Sequence, residues 1–223
     1  MSGRGGVVPA GGPAPLGVLL AAGRGRRLGG FKQLRPWPPE AAPGSARPLV
    51  RHAFDAVAAA CRGVVVVLGH EPEAVRRAIG EEAGVFVVAD PDAPMLASIQ
   101  AGLRAAAAAD SAAAILLHLG DVPSVAPATI ATLLTAAAAR PETAKLPEHA
   151  GRGGHPAWVP PPVRDRLLAL PANHPGGVRA FWESRPDLVE RIPVPDAGCT
   201  RDIDRPEDLA PPASGPESAS WIR

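Results

Sequence analysis

One short stretch of this chain concentrates residues suited to holding phosphate: "LAAGRGRRLGGFK", residues 20–32. An apolar run ends at Ala21 and Ala22 and gives way to Gly23, Gly25, Gly29 and Gly30, interleaved with Arg24, Arg26 and Arg27. Glycines at the end of a strand let backbone N–H groups turn towards a polyphosphate without interference from Cβ. Arginines supply charge-assisted contacts to the phosphate oxygens. Lys32, one of two lysines in the chain, follows nine residues after Gly23 and can return to the same phosphates as a compact point charge. As a loop lysine it is expected to be solvated. Spacing excludes two common phosphate loops. The dinucleotide fingerprint G-x-G-x-x-G fails because Leu28 stands where the third glycine belongs, and the P-loop fails because Phe31 separates Gly30 from Lys32 and Gln33 follows. What remains is a flexible surface loop or a triphosphate loop of another kind, and the order of the residues fits the second.

Carboxylates supply the complementary chemistry. Asp121 lies in "GDVP" (120–123), directly after an apolar run. Asp202 and Asp204 lie in "DIDRPEDL" (202–209) and would share a face if that segment is extended. With Asp121 they make an oxygen set for a hard cation, Mg²⁺ being expected. Glu207 and Asp208, after Pro206, suit the cap of a following helical turn. "GRGGHPAW" (151–158) carries His155, read equally as a structural histidine in a glycine-rich hairpin or as a ligand-binding group.

These groups need a scaffold. Four apolar runs, "GVLLAA" (17–22), "GVVVVLG" (63–69), "GVFVVAD" (84–90) and "AAILLHLGD" (113–121), read as strands buried on both faces. Between them, residues 48–61, 71–80, 95–109 and 126–140 read as helices. Strand and helix in alternation predict βαβ crossovers and a three-layer α/β/α domain with a mostly parallel, Rossmann-like sheet. Further on, "GGHPAWVP" and "DLVERIPVP" look like strands, "PVRDRLLAL" and "GGVRAFWESR" like short helices. Ligands of such sheets bind at the carboxyl ends of the strands, which directs attention to the residues after Ala22, Gly69, Asp90 and Leu119.

Composition narrows the class. With 223 residues, 46% hydrophobic and 20% charged, the chain fits one globular domain, expected over residues 16–210 between a disordered leader (1–15) and a flexible tail (211–223). A net charge of +1 gives no sign of a nucleic-acid partner, and no apolar stretch is long enough to span a membrane. Two cysteines make neither a disulfide framework nor a zinc site. A cytoplasmic monomer is expected.

"LAAGRGRRLGGFK" resembles the L-A-A-G-x-[SG]-x-R-[LM]-G-x-x-K signature of MobA-like NTP transferases, among them the molybdenum-cofactor cytidylyltransferases. "GDVP" is similar to the family's G-D-x-P, and "DIDRPEDL" to its D-I-D-T-P-E-D-L. The "GHP" at 154–156 is similar to the G-H-P segment of the cytidylyltransferase branch. "ADPDAPMLASIQAGL" (89–103) is similar to N-P-x-x-x-G-M-x-x-S-x-x-x-G-L, keeping Ser98, Gly102 and Leu103 but departing at Asp90 and Pro94. The resemblance covers residues 17–210 and implies a nucleotide-diphospho-sugar-transferase-like fold.

It implies transfer of a nucleotidyl group from an NTP, CTP favoured, to a phosphorylated acceptor such as molybdopterin, with release of pyrophosphate. In that reading Ala21, Ala22, Gly23, Arg24 and Gly25 cradle the triphosphate, and Arg27 and Lys32 neutralise its charge. Asp90 and Ser98 serve the nucleotide, Asp121 and Asp204 hold Mg²⁺, and His155 and Asp202 face the acceptor. Alternatives are a guanylyl transfer, a sugar-1-phosphate nucleotidylyltransferase, and a nucleotide-binding module without catalysis.

Overall fold

The computed structural model describes residues 13–39, 45–80 and 84–209. Residues 1–12 of the expected leader and the tail from residue 210 lie outside the described residues. At the inner end of the leader, the carbonyls of Ala14 and Pro15 accept from Nε and the backbone N of Arg62, both at 3.1 Å.

The elements run β1 (Leu16–Ala21), β2 (Pro36–Trp37), β3 (Arg47–Pro48), α1 (Leu49–Ala58), β4 (Gly63–Leu68), α2 (Pro72–Ile79), β5 (Val85–Val88) and α3 (Met95–Ala109). There follow β6 (Ile115–Leu119), α4 (Pro127–Ala139), β7 (Ala144–His149), β8 (Arg152–Gly153), β9 (Ala157–Val159), α5 (Pro161–Ala169), α6 (Gly177–Ser184) and β10 (Val189–Pro193). Proline opens α2, α4 and α5, where its missing N–H costs nothing and its fixed φ suits a first helical turn.

The main sheet has the order β10–β7–β9–β6–β1–β4–β5, with β8 paired to β7. β5, β4, β1 and β6 are mutually parallel, as are β7 and β10, whereas β9 runs antiparallel between β6 and β7. The sheet is therefore mostly parallel but mixed, and the fold is the expected three-layer α/β arrangement.

Alternation along the central strands explains their continuous apolar composition. Val18, Leu20, Val65, Val67, Ile115 and Leu117 pack into one core, with Leu96, Ile99 and Leu103 of α3. Leu19, Ala21, Val64, Val66 and Leu68 pack into the opposite one, with Val50, Phe54 and Val57 of α1. Gly102 lets α3 approach closely, since a Cβ there would lie 2.5 Å from Val18 Cγ1 and 2.8 Å from Val67 Cγ2. Leu103, next to it, is fully buried. Leu103→Ala is expected to cost about 3 kcal/mol through lost apolar contact and the cavity left behind. Equilibrium urea unfolding measures it.

Two elements depart from the sequence expectation. β5 is not buried on both faces: it is the sheet's edge, and Val85 and Val88 are exposed. β7 was not foreseen, because "AKLPEH" carries a lysine, a proline and a glutamate where a central strand should be apolar. Its Lys145 is nevertheless fully buried, and Nζ donates to the carbonyl of Arg140 at 2.8 Å and lies 3.0 Å from Glu190 Oε2 on the adjacent β10. Pairing on both sides makes this strand. Among the described residues no helix is long and apolar enough to cross a membrane.

Candidate functional site

Register places the site. Ala21, ending β1, sits opposite Leu68 of β4, while Leu20 sits opposite Leu119 of β6. The loops after β1 and β6 therefore leave side by side from the carboxyl edge of the parallel strands.

The first of these loops is built around its glycines. Gly25 has φ +60°, and a Cβ there would lie 2.5 Å from Lys32 Cβ, so the residue must be glycine for the two ends of the loop to meet. Its carbonyl accepts from the N–H groups of Leu28 and Gly30, both at 3.0 Å, which closes a short 3-10 turn over Arg26–Leu28. Gln33, buried beneath the loop, donates through Nε2 to the carbonyl of Gly23 at 2.6 Å and to that of Ala21 at 3.5 Å. Gln33 was not singled out by the sequence reading. A glutamine directly after the lysine was the available signal.

Lys32 is not the solvated loop lysine that was expected. It is only 6% exposed: it opens the second 3-10 turn, Lys32–Leu34, and its side chain runs to two carboxylates instead of solvent. Its ammonium donates to Asp121 Oδ2 at 2.7 Å and to Asp204 Oδ1. Burial opposes the lysine's charge, but the two carboxylates outweigh it, and the pKa is raised. The same bond from Lys32, assisted by Arg27, holds Asp204 below the ordinary carboxylate range. Arg27 Nη1 lies 3.3 Å from Asp204 Oδ2.

Asp121 and Asp204 are brought together through the backbone. The N–H of Ile203 donates to the carbonyl of Asp121 at 2.9 Å, and the fully buried Ile203 side chain anchors the segment. Asp208 Oδ2 accepts from the N–H groups of Asp204 and Arg205, at 2.9 and 2.7 Å, so the downstream turn fixes Asp204 from behind. Residues 201–204 form no strand, and Asp202 parts company with Asp204: it is exposed, and its charge acts on His155 instead.

The remaining candidates are distributed around three adjoining clefts. Ala22, Gly23, Lys32, Ser98 and Asp121 line a small cleft of about 170 Å³ at the strand edge. Arg24, Gly25, Arg27, Lys32 and Asp204 line an open mouth of about 410 Å³. Arg24 is turned away from any free role: Nε donates to Asp92 Oδ1 at 2.8 Å and Nη2 to Asp92 Oδ2, with Arg26 also in reach of Asp92 at 3.5 Å. Asp90 is exposed and its Oδ1 accepts from the N–H of Asp92 at 2.9 Å, which shapes that loop. Asp92 is the second partner missed by the sequence reading. Beyond Met95 and Leu119 lies the third cleft, of about 540 Å³, bordered by His155, Arg152 and Trp182.

His155 follows β8, its N–H donating to the carbonyl of Cys199 at 2.7 Å. Its ring lies 6.3 Å from that of His118 in an edge-to-face pair. Burial lowers the pKa of both rings, His118 to about 3, so both are neutral at pH 7. The unfolded chain, with His near 6.5, binds the protons that the folded chain refuses, so folding stability falls as pH drops through 6.5. Melting curves between pH 7.5 and 5.5 should show that fall, and His118→Gln should flatten it.

The oxygen set suits a hard divalent cation. Asp121 Oδ1 is buried with no hydrogen-bond partner, beside the carboxylate of Asp204. Among the described residues no three His, Cys, Asp or Glu side chains gather around one point, so such an ion would draw further ligands from substrate oxygens and water.

Comparison with known proteins identifies the family of the chain. Residues 17–189 match the family model described as the MobA-like NTP transferase domain. The chain is 32% identical over 207 residues to nicotine blue oxidoreductase of Paenarthrobacter nicotinovorans, covering 88% of this chain and 95% of that protein. The crystal structure of Rv0371c from Mycobacterium tuberculosis H37Rv is similar with a TM-score of 0.73 and 29% identity, over 87% of this chain and 95% of that one. A complex of Rv0371C with manganese has a TM-score of 0.67 and 28% identity, over 87% and 95% of the two chains. A family match spanning both the glycine-rich loop and Asp121, on a sheet that sets them side by side, leaves one assignment: the chain belongs to the MobA-like NTP transferase family.

Proposed function

We propose that this protein transfers a nucleotidyl group from an NTP, with CTP favoured, to a phosphorylated small molecule such as molybdopterin, releasing pyrophosphate. The observation that carries this reading is the Lys32 ammonium held between Asp121 and Asp204 under a glycine-rich loop. It supplies a positive charge for phosphate and two carboxylates for a metal at one point. An oxygen of the acceptor phosphate attacks the α-phosphorus, a new P–O bond forms, and the bond to the pyrophosphate leaving group breaks. No covalent enzyme intermediate is required, so catalysis is positioning and charge neutralisation.

The backbone of Ala21 to Gly25 orients the triphosphate, with Ser98 at the floor of the same cleft. Arg27 and Lys32 meet its negative oxygens. Asp121 and Asp204 would hold Mg²⁺, which would lower the repulsion between the triphosphate and an anionic attacker. Manganese in a complex of a similar protein supports a divalent ion of this kind. The acceptor occupies the cleft of about 540 Å³, which His155 borders with a neutral ring hydrogen-bonded to the backbone of Leu117. Asp202, exposed outside the cleft lining, acts on His155 through its charge. The catalytic domain spans residues 16–210, in a cytoplasmic monomer.

A second reading comes from the relative named an oxidoreductase, which matches over 88% of this chain. The paired carboxylates around Lys32 favour the transferase, since a metal-bound triphosphate needs them and electron transfer does not. Pyrophosphate release with Mg²⁺ and CTP, GTP, ATP or UTP, against several phosphorylated acceptors, tests the proposal. NAD(P)H oxidation is followed in parallel with quinone-like acceptors. Electron transfer without pyrophosphate release under any pairing would overturn the transferase reading.

A further inference from the structure

We propose that Lys32 and a divalent cation exclude one another at the Asp121–Asp204 pair, so that the metal enters with the triphosphate and not ahead of it. This inference rests on the metal-dependent transferase reading above. Two carboxylates present four oxygens. Asp121 Oδ2 and Asp204 Oδ1 accept from Lys32, and Asp204 Oδ2 lies 3.3 Å from Arg27 Nη1. Only Asp121 Oδ1 is without a partner. The pair's two negative charges are thus already met by two positive side chains belonging to the protein itself.

A magnesium or manganese ion cannot share this arrangement. Ligand oxygens sit at about 2.0–2.1 Å from Mg²⁺, and Lys32 Nζ already lies 2.7 Å from Asp121 Oδ2. An ion reaching both carboxylates would press against the ammonium at a separation of a few ångströms, where like charges repel strongly in a partly buried site. The lysine stem cannot simply swing into solvent at no cost, because the side chain is only 8% exposed. It needs another anion to move to. The triphosphate is that anion: its oxygens take Lys32 and Arg27, and the carboxylates are released at the moment the metal arrives. Exclusion of this kind makes metal and nucleotide binding positively coupled, and the coupling is reciprocal.

The test uses Mn²⁺ alone, with free ion counted by electron paramagnetic resonance, on the full-length wild type, Lys32→Met and Lys32→Met/Asp204→Asn. Methionine keeps an unbranched apolar stem in the buried site, and melting curves report whether each variant folds. Wild type should bind Mn²⁺ weakly, Lys32→Met at least about tenfold more tightly, and the double variant should lose that gain. Equal or weaker binding by folded Lys32→Met overturns the exclusion. A second measurement needs no variant: wild type should bind Mn²⁺ at least about tenfold more tightly with a non-hydrolysable NTP analogue than without it, after correction for Mn²⁺ held by the analogue in solution. Equal affinities overturn the exclusion even if Lys32→Met fails to fold. Tight binding of free Mn²⁺ by an enzyme that releases pyrophosphate removes this inference and leaves the activity standing. Failure to bind any NTP analogue removes the functional reading itself.

Discussion

Asp121→Asn should lower nucleotidyl transfer by about 10²-fold or more, the scale of losing one well-placed electrostatic stabiliser, while leaving the fold intact. Asparagine keeps the size of the side chain and one oxygen acceptor for Lys32 but removes the negative charge. The backbone contribution is untouched, because the carbonyl of Asp121, not its side chain, receives the N–H of Ile203. The side-chain oxygen left without a partner, Oδ1, is the one a structural role would have satisfied. Pyrophosphate release and melting curves are read together on one preparation. Near-normal release by a folded variant would remove Asp121 from the mechanism.

Lys32→Ala should also lower kcat/KM for the NTP by about 10²-fold, and here stability changes too. The substitution leaves Asp121 and Asp204 facing each other without the cation between them. Both carboxylates are partly exposed, at 24% and 33%, so the loss should be about 1–2 kcal/mol, between that of an exposed pair and a buried one. Lys32→Arg should recover only part of the activity. A planar guanidinium has neither the reach nor the compactness of an ammonium lodged between two carboxylates. Wild-type activity in both variants would show that the ammonium has no part in the reaction.

The strands that build the site were legible because each apolar run obeys one local rule. β1, β4 and β6 are buried on both faces, so their positions are apolar apart from the buried His118, and the run ends where the ligand edge begins. α3 spans residues 95–109 as its pattern predicts. β7 was illegible for the opposite reason. Lys145 is tolerated in a buried strand only because Glu190, 45 positions away, lies 3.0 Å from it across the β7–β10 pairing.

By itself, the sequence determined the glycine loop, its single lysine and the aspartate at the end of β6, since backbone freedom and charge are local properties of residue types. Tertiary structure decided what those groups face. Whether Lys32 meets solvent or carboxylates depends on 89 residues of separation from Asp121 and 172 from Asp204. Whether Asp202 joins Asp204 depends on Ile203 and Asp208, which fix the backbone of a segment that is not a strand. Arg24 reads as a phosphate ligand until the loop at Asp90–Asp92 folds back and claims it through a fork of two hydrogen bonds. Electrostatic partners are chosen by distance in space, and only the closed sheet, with β1 and β6 adjacent, sets those distances.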